Sequence, residues 1–398
     1  MRMPTGTEIP SPLALIDCKG EIENLIVETL FFGLLLILIL FYSTLYSLSI
    51  VLARRARSKN QDSSLDFSLP TVSLVIATYN EEKNILKKIN NIECLDYPID
   101  KLEVIFVDSS TDRTRDLIKE YTKTTKFKVV LIEDERRGLA TALNLGYSCA
   151  SNDIIFKNDC NKFLEKGVIR TLVKHFSDSH IGAVCGRITT IHQYDKEIGY
   201  LSLMERLRIA EGYLDSTYNV CPTIAFRKSL FEPIDKRSVA DEAEVALKIR
   251  RKGYKTLYDP EAGAAEMSPI STLARIKQKS RRAQGQIRLL FNNSDVMFNP
   301  KYGKYGLIIL PANFFMMVLS PWLITLMTLF GFILLYEYFS FFSLPIIVSL
   351  ILLILAAYEK SWPRTICGFI DAQFSLLIGS ITLVIKGPDF KWERINKF

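Results

Sequence analysis

The sequence predicts an α/β fold: a mostly parallel sheet with helices on both faces, set between apolar helices at the two ends of the chain. Three observations predict it. Short apolar runs alternate with helical patterns between Thr71 and Lys157. No run of membrane length interrupts the stretch from Lys59 to Pro300. Long apolar stretches flank that region on both sides, each near or above the ~20 residues a bilayer requires.

The first apolar stretch, Leu25–Ala53, is followed at once by "RRAR" (Arg54–Arg57). Basic residues favour the cytoplasmic side, so residues 1–24 are expected outside and the chain after Ala53 in the cytoplasm. A cleaved signal peptide fits poorly, because the basic cluster follows the apolar run and the run is too long. Residues 54–69, containing "KNQDSSLDFS", read as a polar linker to a domain over residues 70–300. Beyond it, residues 306–336 read as a second span and 339–358 as a third, with Lys360 and Arg364 again marking the cytoplasm. Residues 361–386 contain Asp371 and Gln373 and precede a basic tail, 387–398. An interfacial helix keeps that tail inside, whereas a span would put it outside against the charge rule.

Within the domain, "TVSLVIA" (Thr71–Ala77) reads as a strand. Asn80–Ile92 reads as a helix capped by Asn80, with Ile85, Ile89 and Ile92 on one face. Leu102–Val107 is a second strand, Asp112–Tyr121 a second helix and Phe127–Ile132 a third strand. Ala140–Ala150 is a third helix and Asp153–Lys157 a fourth strand. Ligands of such sheets bind at the carboxyl ends of the strands. There stand three polar, acid-rich turns: "TYNEE" (Thr78–Glu82), "DSSTD" (Asp108–Asp112) and "NDCN" (Asn158–Asn161). Each by itself is equally a cap or a turn; their succession along one rim points to a site.

Composition narrows the chemistry. The chain has 398 residues, a net charge of +7 and 48% hydrophobic residues, which suits a membrane protein with a folded polar part. Seven scattered cysteines form no CxxC pair, so they read as reduced thiols. Only three histidines occur, which argues against a histidine-centred metal site or a Ser-His-Asp hydrolase. The run Arg275–Arg288 holds six basic residues and no acid. No aromatic residue interleaves with it, so nucleic acid is not an expected partner.

In this order and spacing, Pro70–Gly285 resembles the membrane-anchored family-2 glycosyltransferases of the GT-A fold, the group of the cellulose, hyaluronan and poly-N-acetylglucosamine synthases. "SLVIATYNEEKNI" is similar to the first strand and turn, where the family places a nucleotide-contacting acid, here Glu81 or Glu82. "VDSSTDRT" resembles its VDDGSTDGT-like turn, and Asp108 matches the acid that reads the base. "NDCN" stands where the family has Asp-x-Asp, which implies Asp159 as a metal ligand with neutral Asn161 in the second position. Asp153 is a poorer substitute because it should begin a strand. "VADEAEVALKIRRKGYKTLYDPEA" resembles the segment with the catalytic base, which falls on Glu242, with Asp241 before it kept open. "QKSRRAQG" stands where relatives have Gln-x-x-Arg-Trp, so Gln278 is expected at the acceptor, Arg281 at the donor diphosphate, and Arg282 in the place of the aromatic residue.

The resemblance implies a Rossmann-like cytoplasmic domain with N- and C-terminal transmembrane helices in a multi-pass protein of the cell membrane. It implies Mg²⁺ or Mn²⁺ bridging the donor phosphates and an inverting transfer from a nucleotide-sugar donor. A UDP-hexose or UDP-N-acetylhexosamine is the expected donor and a lipid-linked or glycan acceptor at the membrane the expected recipient. A single transfer is preferred to a processive polysaccharide synthase, because spans are few and no aromatic residue follows Arg281 to stack on a sugar. A third reading is a non-catalytic nucleotide-sugar-binding scaffold, suggested by the departures at Asn161, Glu242 and Arg282. Other residues stay neutral: Glu244 and Lys248 fit a surface pair, Arg187 an acceptor contact or a sheet cap, Arg227 a structural role, and Arg136–Arg137–Gly138 is unassigned.

Overall fold

The structure, a computed structural model, describes residues 12–60, 68–191, 198–267, 272–339 and 361–387. The expected third span, 339–358, lies outside the described residues but for Phe339, as does the tail beyond Gly387.

A long helix, α1 (Pro12–Asn60), precedes the domain, so Arg54–Asn60, assigned to the linker, continues the helix. The domain is built on an eight-stranded sheet. Its strands are β1 (Val72–Thr78), β2 (Leu102–Asp108), β3 (Lys128–Glu133), β4 (Ile154–Lys157), β5 (Lys162–Leu164), β6 (Ile181–Ile191), β7 (Ile224–Arg227) and β8 (Lys255–Met267), in the order β3-β2-β1-β4-β7-β6-β8-β5. The β3-β2-β1-β4 half is parallel throughout. β7 runs antiparallel to both β4 and β6. The expected parallel sheet is therefore the first half of a mixed one.

The helices α2 (Glu82–Glu93), α3 (Thr114–Thr124), α4 (Leu139–Cys149), α5 (Val168–Val173), α6 (Ile198–Leu214), α7 (Asp241–Arg251) and α8 (Thr272–Asn292) surround the sheet. One face of the sheet packs Leu74, Ile76, Val104 and Phe106 against Ile85, Ile89 and Ile118 of α2 and α3. The other packs Val75, Ile105 and Ile155 against Leu143 and Tyr147 of α4 and Val245 of α7. With both faces buried, strands read as continuous apolar runs. Gly146 lets α4 press onto β1; a Cβ there would lie 2.5 Å from Val75 Cγ1.

Asn80 departs from its expected role as a helix cap. It adopts a positive φ of 53°, and α2 begins two residues later. Its backbone N–H donates to Ser110 Oγ at 2.8 Å, and its side-chain oxygen accepts from the Thr111 N–H at 2.9 Å. Asn tolerates the left-handed region, so the residue clamps the first rim turn to the second.

Among the described residues, α8 is followed by α9 (Tyr305–Phe339) and α10 (Ser361–Lys386). α9 contains π turns at Tyr305–Ile309 and Phe315–Leu319, on either side of the segment with Pro311. Among the described residues, Ile22–Ser58, Tyr305–Phe339 and Thr365–Lys386 are long and apolar enough to cross a membrane. Polar side chains join them: Tyr42 Oη lies 2.7 Å from Ser320 Oγ, and Gln373 bonds both. The domain is tied to α9 through Asp215, which pairs with Arg250 at 2.9 Å and accepts from the Tyr305 N–H, and through Glu211, which accepts from Asn313 at 2.6 Å.

Candidate active site

The rim at the carboxyl ends of β1, β2 and β4 gathers the expected residues in two groups. The first lies over β1 and β2. Asp108, the last residue of β2, is fully buried. It accepts from Thr78 Oγ1 at 2.7 Å, from the Ser110 N–H and hydroxyl at 3.1 and 2.6 Å, and from Arg115 Nε at 3.1 Å. Glu81 is buried beside it, accepting from Asn84 Nδ2 at 2.7 Å, while Glu82 is exposed at the start of α2. Of the two acids left open by the sequence, Glu81 is thus the one built into the rim.

The second group lies between the end of β4 and the N-terminus of α7, and its centre is a residue the sequence reasoning missed. Lys157 ends β4 with its side chain 1% exposed. Its ammonium stands 3.0 Å from Asp159 Oδ1, 3.1 Å from Asp241 Oδ2, and in contact with Glu242 Oε1. Lys162, also buried, contacts the other oxygen of Asp159. Lys88 of α2, fully buried, contacts Asn158 Oδ1 and donates to the Lys162 carbonyl at 2.7 Å. The signal for Lys157 was present: a lysine ending a strand buried on both faces must find carboxylate partners, because an unpaired buried charge is too costly.

The electrostatics follow from this packing. Burial works against the Lys157 ammonium, but Asp159, Asp241 and Glu242 outweigh it and keep the group charged. Burial would raise the Asp159 carboxyl, yet Lys157 and Lys162 hold it far below the usual range. Burial likewise opposes ionisation of Glu242, and Lys157 and then Lys162 overcome it, so this carboxylate stays ionised. Asp241 goes the other way: burial, then the charge of Glu242, pushes it up to about 7. Burial brings Lys88 down to about 7. Both acids also begin α7, where the helix dipole favours negative charge.

A bridging divalent cation needs free oxygen ligands. Here both Asp159 oxygens are taken by ammonium groups, and Asn161 is neutral and buried. Asp153, the less favoured substitute, is turned to Thr71 at the far end of β4. Among the described residues no three His, Cys, Asp or Glu side chains converge to hold a metal. The donor set as built therefore does not fit the cation expected from Asp159 and Asn161.

The "QKSRRAQG" stretch lies on α8. Gln278 and Arg282, four residues apart on one face, both reach Glu266 at the end of β8; the Arg282 guanidinium lies 3.2 Å from each of its oxygens. Arg281 was the arginine expected at the diphosphate; Arg282, expected in the aromatic position, also stands near the acids, its charge felt by Glu266, Glu242 and Asp159. A neighbouring face of α8 packs on α10, through Lys279 and Asp371 at 2.5 Å and through Ala283, which a Cβ on Gly379 would approach to 2.8 Å.

The neutral residues resolve structurally. Arg187 donates to the Pro260 carbonyl at 3.0 Å and pairs with Glu165, and Arg227 donates to the carbonyls of Ile181, Phe176 and Asp178. Glu244 and Lys248 form the expected i,i+4 pair at 2.8 Å. Arg136 lies 3.9 Å over the Tyr79 ring and Arg137 pairs with Asp134.

A mixed sheet with acids at the ends of β2 and β4 and at the start of α7 has the layout of a GT-A glycosyltransferase, and comparison with known proteins agrees. The family model "Glycosyl transferase family 2" matches residues 73–235, and "Glycosyl transferase family group 2" matches 216–358. Both matches are to family-2 glycosyltransferases, and together they run over residues 73–358 of the chain. It is 28% identical over 232 residues to a probable glycosyltransferase, YdaM, of Bacillus subtilis (54% of this chain, 55% of that protein). It is 27% identical over 257 residues to a poly-β-1,6-N-acetyl-D-glucosamine synthase of Staphylococcus aureus (60% of each). The chain thus spans little more than half the length of these curated relatives. Among solved structures it resembles a mannosyltransferase from Pyrobaculum calidifontis in complex with GDP-Man and Mn²⁺, with a TM-score of 0.71 and 23% identity over 90% of this chain and 99% of that one. The similarity covers most of both chains and establishes the GT-A fold.

Proposed function

We propose that this chain is an inverting transferase that moves one sugar from a nucleoside-diphosphate sugar to a lipid-linked acceptor at the cytoplasmic leaflet. The observation that carries the reading is the pair Asp241–Glu242 at the start of α7, held over the carboxyl end of β4 by Lys157. Glu242 is the base: it is ionised and, of the pair, the more exposed. It takes the acceptor hydroxyl proton as the new bond forms to the anomeric carbon from the face opposite the leaving group. The bond from that carbon to the diphosphate breaks, and its electron pair leaves with the nucleotide. Asp108 and Glu81 face the nucleoside end of the donor; Arg282 and Gln278 stand on the opposite wall, where a guanidinium serves a diphosphate well.

The donor is a UDP-hexose or UDP-N-acetylhexosamine in the reading from the sequence. A structural relative in complex with GDP-Man adds GDP-sugars to the set worth testing. For the membrane, α1 and α9 are taken as spans with the domain in the cytoplasm, from the Arg54–Arg57 cluster. α10 lies beside them at the leaflet, joined to α8 by Lys279–Asp371. The glycine-tight contact of α8 with α10 supports an acceptor that arrives from the membrane, since it sets α8, the helix that carries Gln278 and Arg282, beside a lipid-side helix.

A processive synthase is the second reading, favoured by the resemblance to a poly-N-acetylglucosamine synthase. The experiment that separates them is the mass of the lipid product after membranes holding the protein are given a panel of UDP- and GDP-sugars. One added sugar supports the single transfer; a ladder of sugars establishes the second reading. No product and no nucleotide release from any donor would refute both.

A further inference from the structure

We infer that this enzyme carries its counter-cation in its own chain: Lys157 and Lys162 compensate the acid cluster so that a nucleoside diphosphate is held without a divalent metal. The inference rests on the transferase reading and concerns the charge of its donor site.

The sequence "KNDCNK" (Lys157–Lys162) departs from an acid-pair turn in three places at once, and the departures are complementary. An acid is lost at Asn161, and lysines stand on both sides. Two carboxylates plus a divalent ion sum to zero; one carboxylate and two ammonium groups sum to +1. The lysines are not surface residues that swing in by chance. Lys157 and Lys162 are almost wholly enclosed, and their backbones are fixed in the sheet: Lys157 is in register with Val75 and Ile224, and Lys162 with Glu266. Lys88 holds the turn from beneath through Asn158 and the Lys162 carbonyl.

Consider what the site presents to an arriving diphosphate. Asp159, Asp241 and Glu242 would together repel two more negative charges. Lys157 touches all three and Lys162 touches Asp159 again. Asp159 is the carboxylate left partly open, 30% exposed, with both its oxygens already matched by ammonium groups beneath. A divalent ion entering there would meet two like charges within the distance of a salt bridge. On the open side stands Arg282, 51% exposed, which can leave Glu266 for the phosphates. Lys157 and Lys162 thus act through the acids they neutralise, as positioning residues, while Arg282 is the cation in reach of the donor.

The test uses the full chain in detergent, with UDP and GDP as probes. Nucleotide affinity is measured by calorimetry in EDTA and in Mn²⁺, and Mn²⁺ binding by its electron paramagnetic resonance signal. For the wild type, affinity is expected to change by less than about threefold between EDTA and Mn²⁺, with no Mn²⁺ taken up. Lys157→Met takes the ammonium partner from Asp241 and Glu242 and is at risk of misfolding, so the diagnostic variant is Lys162→Met, which frees one oxygen of Asp159 alone. It is expected to bind nucleotide about tenfold more weakly in EDTA and to recover with Mn²⁺. Wild-type binding that vanishes in EDTA and returns with bound Mn²⁺ would overturn the inference and leave the transferase reading intact. Binding of neither nucleotide in either condition would overturn the donor-site reading, and the inference with it.

Discussion

Asp108 and Asp159 stand at the ends of the two strands that flank β1, and they are held in opposite ways. Asp108 is secured mainly by uncharged donors, Thr78, Ser110 and a backbone N–H, with the half-buried Arg115 at its side. Asp159 is secured by charge alone, between two buried lysines, one of which, Lys157, also reaches Asp241 and Glu242. Hydrogen bonds from neutral groups orient a carboxylate and leave its charge in place; ammonium groups cancel the charge. In the transferase reading proposed above, one half of the rim reads a donor and the other tolerates one.

The sharpest break would come at the acid pair. Glu242→Gln keeps the shape and removes the base, so transfer should fall by about 10²–10⁴-fold while nucleotide binding persists. A matching loss of binding would mean that Glu242 shapes the site instead of taking a proton.

Next comes stability. Lys157→Met strands Asp241 and Glu242 in a closed site and should cost about 3–5 kcal/mol, as removal of one partner from a buried ion pair does. Arg115→Met, at the more exposed pair beside Asp108, should cost no more than about 1 kcal/mol. Urea unfolding of the two variants compares them, and equal costs would erase the distinction between the halves.

On α8 a smaller contrast is expected. Arg282→Ala should raise the donor KM about tenfold, as loss of a charge-assisted hydrogen bond would, and Lys279→Ala, on the face toward α10, by much less. Arg281→Ala exceeding Arg282→Ala would restore the assignment made from the motif.

The smallest effect is on pH. Asp241, pushed up to about 7, keeps a proton in the folded protein that the unfolded chain gives up near 3.8. That term is fully present below about pH 4 and is lost as pH rises through about 7. Thermal midpoints should therefore decline across this window, and Asp241→Asn should flatten the decline.

Much of this was legible in the sequence, for a physical reason. Strands buried on both faces give unbroken apolar runs, so β1, β2 and β4 and the acids behind them could be located from pattern alone. Asp108, Asp159, Asp241 and Glu242 do sit on one rim. Three things were not legible. The pairing of Arg282 with Glu266 joins α8 to β8, a contact of tertiary packing that the local pattern does not carry. The mixed half of the sheet depends on β7 pairing with both β4 and β6, a long-range matter. Asn80 read as a cap because asparagine favours caps and left-handed turns alike. Lys157 could have been found: its place at the end of an apolar strand, two residues before an acid, demanded a partner.

The most direct test of the account is nucleotide release by the purified full chain in lipid, with UDP- and GDP-sugars and a membrane-lipid extract, comparing wild type with Glu242→Gln. The account predicts release from one donor by the wild type, dependent on the lipid, and a loss of at least about 100-fold in the variant. Release that is unchanged in Glu242→Gln, or absent with every donor, would contradict it.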